Sequence, residues 1–149
     1  MPIKFFHGSY DVLPLGTVLS PHKGNFMRTL LPEEMESHFK LELFRPVGSL
    51  SRNRAVYMTC CIEDVDTCGG AAEHIYRVMP LGPVEKHDLN WMSEIDLIFS
   101  ELSDAADMEA EDTISRVQMA ALNYWEGVPH YNECCWEYLT TLAKITKEV

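Results

Sequence analysis

The chain has 149 residues, 46% of them hydrophobic and 23% charged, which describes an ordinary globular domain large enough to bury a core without staples. Its formal net charge is −11, a balance that repels phosphate backbones and excludes direct nucleic-acid binding as an expectation. No apolar run approaches the roughly 20 residues of a membrane span, and no secretory leader is expected before the first strand.

The first element is a strand over residues 3–7, running into His7-Gly8-Ser9. Pro14 and Gly16 mark a turn, and residues 17–20 form a second short strand before a loop at His22-Lys23-Gly24-Asn25. Residues 31–44 read as a helix: Pro32 suits its first position, and Met35, Phe39 and Leu43 recur as a core stripe. His38 beside that stripe is a surface or satisfied histidine. Residues 55–60 form a buried strand, residues 62–68 one or two helical turns, and residues 74–80 a half-buried strand that alternates its faces.

Leu81-Gly82-Pro83 then turns the chain, and residues 88–102 fit helix and strand equally. A helix over residues 104–125 is expected, capped by Ser103, with Ile114, Val117, Ala121, Leu122 and Trp125 on its packed face. Residues 134–141 and 143–146 close the chain as two strands or one bent strand. With no repeat, low-complexity segment or linker, a single domain over residues 1–149 is the expected organisation.

Much familiar chemistry is missing. The sequence holds no GxGxxG after a strand, no Walker loop, no HExxH and no GxSxG. The five cysteines fall as Cys60-Cys61, Cys68 and Cys134-Cys135, an odd count without CxxC spacing, which suits a reducing cytoplasm better than a zinc site or a disulfide framework. The acidic surface either keeps the protein soluble or docks on a basic partner, such as a protein that itself holds nucleic acid.

What remains is a histidine, a tyrosine and a glutamate on three strand-like runs in chain order. Phe6-His7-Gly8-Ser9, Arg54-Ala55-Val56-Tyr57-Met58-Thr59 and Glu137-Tyr138-Leu139-Thr140 together resemble the ADP-ribosyltransferase superfamily in its His–Tyr–Glu lineage. The likeness is nearest to the small bacterial enzymes that modify rifamycins, whose strand and Gly-Pro turn residues 74–83 also resemble. It covers about the first ten residues and then 54–88, leaving residues 21–51 and the helical region after Asp88 unmatched.

The resemblance implies an α+β fold with an ADP-ribosyltransferase-like split β-sheet core and flanking helices. It also implies an enzyme that uses NAD as co-substrate, with no metal. His7 would hold a ribose hydroxyl, the Gly8 backbone would grip the nicotinamide amide, and Tyr57 would stack on the ring, with Ser9 and Thr59 also lining the NAD site. Glu137 is the favoured catalytic carboxylate, for which Glu133, Glu85 and Asp88 are alternatives. Cleavage of the nicotinamide–ribose bond passes through an oxocarbenium-like cation, which explains the need for a carboxylate.

Three outcomes follow for the acceptor. The acidic surface favours a macromolecule, a protein with a basic surface such as a host or defence protein attacked by phage-encoded transferases. A rifamycin-type small molecule and water are the other acceptors. A non-catalytic acidic inhibitor of a basic nucleic-acid-binding protein is the alternative without chemistry.

Overall fold

A computed structural model describes residues 2–21, 32–69, 71–102, 110–131 and 135–149. The expectations at residues 22–25, Ser103 and Glu133 lie outside them. The described chain is mixed α and β, with seven strands in two antiparallel-rich sheets and three α-helices.

β1 (Phe5–Ser9) takes in the whole Phe-Phe-His-Gly-Ser run, so His7 and Gly8 sit inside the strand and not at its end. The reason is its partner: β4 (His74–Pro80) pairs with it antiparallel from Phe5↔Val78 to Ser9↔His74. β7 (Ala143–Glu148) covers the other edge of β4, and β2 (Val18–Leu19) pairs with β7, giving the order β1–β4–β7–β2. The second sheet has the order β3–β6–β5, from β3 (Val56–Met58), β5 (Glu85–Asp88) and β6 (Trp136–Thr140).

β3 is shorter than the expected strand over 55–60 because its ladder changes partner. Val56, Tyr57 and Met58 pair with Thr140, Leu139 and Tyr138, whereas Thr59 turns to Phe6 on β1. Two backbone bonds hold that bridge, Phe6 N to Thr59 O at 2.7 Å and Thr59 N to Phe6 O at 2.9 Å. They stitch the two sheets together beside His7.

The strand alternation divides the packing. Val56 and Met58 join Leu19, Tyr76, Val78, Tyr138, Ala143 and Ile145 in the larger core cluster. Ala55, Tyr57 and Leu139 point the other way, into a smaller cluster that Leu50 completes. Between β3 and β4, Ile62–Asp64 forms a 3₁₀ turn and Val65–Gly69 a π-helical turn, where one or two helical turns are expected.

The helices depart from the sequence reading in which face they bury. In α1 (Pro32–Leu43) the stripe Met35–Phe39–Leu43 is not the core: Phe39 is 54% and Leu43 68% exposed. Ser37, His38 and Leu41 are buried instead. Polar contacts choose that face, since Ser37 donates to Asp96 and the Trp125 indole donates to the Leu41 carbonyl at 2.7 Å. Residues 90–100, undecided in sequence, form α2 (Asn90–Ser100), which buries Trp91, Ile95 and Ile98 at helical spacing.

The expected helical stretch over 104–109 lies outside the described residues, and α3 (Glu111–Trp125) follows an extended Ala110. It buries Thr113, Val117, Ala120, Ala121, Tyr124 and Trp125, leaving Ile114 exposed and Leu122 half-buried. The three helices pack on one another.

The chain divides into two compact units. One comprises Met1–Thr29, Leu50–Lys86 and Cys135–Val149, and the other Leu30–Ser49 and His87–Cys134. Among the described residues, no helix is long and apolar enough to cross a membrane.

Candidate functional site

The stitch between β1 and β3 brings two of the expected site residues together in the first unit. His7 is buried, and its Nδ1 lies 2.7 Å from the backbone carbonyl of Tyr57. A carbonyl only accepts, so Nδ1 carries the proton and a neutral ring leaves Nε2 as an acceptor. Burial pushes the imidazole pKa below its usual value, and the bond to Tyr57 offsets only part of that. The ring is therefore a neutral Nδ1–H tautomer.

Glu137 arrives from β6. Tyr57 faces Leu139 across the ladder, and Glu137 lies two residues before Leu139 on the same strand. Strand alternation puts Glu137 and Leu139 on the same face as Tyr57. Glu137 and Tyr57 are both fully buried.

Sequence reasoning passed over the residue that links them. Arg52, in a 3₁₀ turn (Arg52–Arg54) capped by the Ser51 hydroxyl, is also fully buried. Its Nη2 lies 3.0 Å from Glu137 Oε1, and its guanidinium carbon 5.1 Å from the Tyr57 ring centroid. The Tyr57 hydroxyl in turn donates to the Arg52 backbone carbonyl. A planar cation thus contacts both an aromatic ring and a carboxylate. An arginine within Ser-Arg-Asn-Arg carries the look of a solvated surface, and only the fold reveals that it is inside.

The remaining candidates have structural partners. Gly8 is buried where a Cβ would lie 1.9 Å from the Ala71 carbonyl oxygen and 2.5 Å from Val65 Cγ1. Its own carbonyl accepts from Ala71 N at 3.3 Å. Glycine is required there by close backbone approach. Ser9 Oγ accepts from Asp11 N, a local turn bond at 3.0 Å. Thr59 is fully buried, and its hydroxyl accepts from Cys61 N at 3.4 Å.

Of the alternative acids, Glu85 accepts from Leu50 N at 2.7 Å. Asp88, fully buried in the second unit, accepts from Asn90 N at 3.1 Å and His130 N at 2.8 Å. Both hold backbone, as helix- and loop-fixing carboxylates do.

A cavity of about 400 Å³ is lined by Tyr10, Asp66, Ala71, Ala72 and Glu73, none of them a member of the His7–Tyr57–Arg52–Glu137 cluster. Ala71 is shared between that cavity and the contact with Gly8. Among the described residues no group of three or more His, Cys, Asp or Glu side chains could hold a metal ion. Comparison of the chain with protein-family models, with curated proteins and with solved structures finds no match.

Proposed function

We propose that the protein is an NAD-dependent mono-ADP-ribosyltransferase with an ADP-ribosyltransferase-like split sheet, acting on a protein acceptor with a basic surface. The observation that carries this reading is the planar cation of Arg52 against the Tyr57 ring and the Glu137 carboxylate. The nicotinamide end of NAD is also a flat cation, and breaking its bond to ribose generates a second one at the sugar. An aromatic face and a carboxylate are the groups that stabilise both, the ring contributing on the order of 1 kcal/mol and fixed charge in a dry site considerably more.

In this reading Arg52 leaves the ring when NAD enters, and the positive charge beside Glu137 is conserved. His7 Nε2, held as an acceptor by the Nδ1 bond to Tyr57, receives a ribose hydroxyl proton in a hydrogen bond. The glycosidic bond breaks with its electron pair going to nicotinamide, and the acceptor nucleophile bonds to the ribose carbon. Glu137 takes the proton that the acceptor loses. The net charge of −11 draws a basic protein towards the site.

Labelled NAD incubated with the protein and a cell lysate tests the reading. Transfer of label to a protein band supports it. Label only on added rifamycin points to a drug acceptor, and free ADP-ribose as sole product to water. The complete burial of Tyr57, Arg52 and Glu137 favours a second reading, in which the cluster is packing and the acidic protein blocks a basic nucleic-acid-binding partner without chemistry. Inhibition of that partner without NAD, unchanged by Tyr57→Ala, identifies this second case.

A further inference from the structure

Cysteine buried singly is ordinarily a small hydrophobe, but two thiols in this chain meet. Cys68, buried at the end of the π-helical turn, has its Sγ 3.4 Å from the Sγ of Cys135, a half-buried residue one position before β6. The two are 67 residues apart in sequence, so the fold and not the chain brings them together. The Cys68 thiol also lies 3.3 Å from the Asp64 carbonyl and 3.6 Å from that of Trp136.

We infer that Cys68 and Cys135 form an oxidisable dithiol, a modification site at which a small-molecule disulfide drives formation of an internal disulfide. The inference stands apart from the transferase reading. The sulfurs must close from 3.4 Å to about 2.05 Å. Access selects the order of events. Cys135, the more exposed, loses its proton to solvent and attacks one sulfur of glutathione disulfide, forming a mixed disulfide and expelling one glutathione thiolate.

Cys68 then attacks Cys135 Sγ. The mixed disulfide breaks, the second glutathione leaves as thiolate and takes up the proton that Cys68 releases. Two protein thiols are oxidised and one glutathione disulfide is reduced to two glutathiones. Cys68 acts second because the hydrogen bond to Cys135 and burial push its thiol pKa up and keep it protonated until the mixed disulfide is beside it. The bridge would tie the 65–69 turn to the residue before β6, two positions before Glu137.

The test is to incubate the whole protein with glutathione disulfide, then count free thiols and map peptides without reduction. The expected result is loss of two of the five thiols, a cross-linked peptide pair containing Cys68 and Cys135, and a rise in Tm of about 10 °C that dithiothreitol reverses. Cys135→Ser abolishes all three changes, whereas Cys60→Ser leaves them intact. A full titre of thiols, a cross-link between other cysteines, or glutathione retained on Cys135 with Cys68 still free would each overturn the inference. These readouts need no NAD, so they fail or succeed independently of the proposed activity.

Discussion

Two fully buried carboxylates, one in each unit, are held in different ways. Asp88 accepts two backbone N–H bonds, from Asn90 and His130, and so fixes the entry to α2 and the chain after α3. Around it the same pattern repeats: Trp91 donates to the Val128 carbonyl, Trp125 to the Leu41 carbonyl, and His87 Nδ1 bonds the Tyr124 carbonyl, each at 2.7 Å. Among the bonds of Glu137 is one to a side chain, the Arg52 guanidinium. A backbone partner cannot leave without unfolding its element. A side-chain partner can, and a bond that exchanges is what a binding site needs. In the proposed reading, Glu137 is the carboxylate whose contact with Arg52 is exchanged for substrate, whereas Asp88 holds backbone.

Glu137→Gln breaks this contrast most severely. It removes the carboxylate charge that faces the buried Arg52 guanidinium, a loss of about 4 kcal/mol in urea unfolding. The paired change Arg52→Met with Glu137→Leu recovers most of that stability, because it removes both charges from the interior. Under the proposed activity the same pair of changes abolishes ADP-ribose transfer although stability is restored.

Gly8→Ala comes next, at about 3 kcal/mol, since the new Cβ meets the Ala71 carbonyl and not a flexible side-chain tip. Equilibrium unfolding with an unchanged far-UV spectrum checks this, and a cost below about 1 kcal/mol would mean that the 65–71 stretch yields easily.

His7 gives a smaller, pH-dependent effect. Its folded pKa is lowered, so between the unfolded value near 6.5 and the folded value the unfolded chain binds more protons. Stability therefore falls with acidification below pH about 6.5, by at most about 1.4 kcal/mol per pH unit, and levels off under the folded pKa. Subtracting the profile of His7→Gln from that of the wild type isolates the contribution; identical profiles would show that the imidazole is not desolvated. The smallest effect belongs to Leu43→Ser, within about 0.5 kcal/mol, because that side chain is exposed. A cost of 2 kcal/mol or more, as a core leucine gives, would restore the stripe read from the sequence.

These contrasts mark what sequence could and could not convey. The β4 alternation over residues 74–80 was legible because one face of that strand is apolar and the other is not. So were the existence of α1 and the two closing strands, where propensity and punctuation agree. The buried face of α1 was not, because Ser37 and His38 turn inward to polar contacts that periodicity of apolar residues does not register. In α3, Val117, Ala121 and Trp125 pack as read, but Ala120 and Tyr124 share that face and Ile114 is exposed. His7, Tyr57 and Glu137 could be named from short runs, but their burial and the intervening Arg52 depend on long-range pairing across 85 residues. No local pattern carries that.

The central claim is that NAD enters the His7–Tyr57–Glu137 cluster by displacing the Arg52 side chain. Titration of isotopically labelled protein with NAD, followed through the Arg52 guanidinium and His7 imidazole resonances, tests it most directly. The account predicts saturable shifts in both groups, with the Arg52 signal moving as its contacts to Tyr57 and Glu137 are lost. Unperturbed Arg52 and His7 signals at millimolar NAD would contradict it.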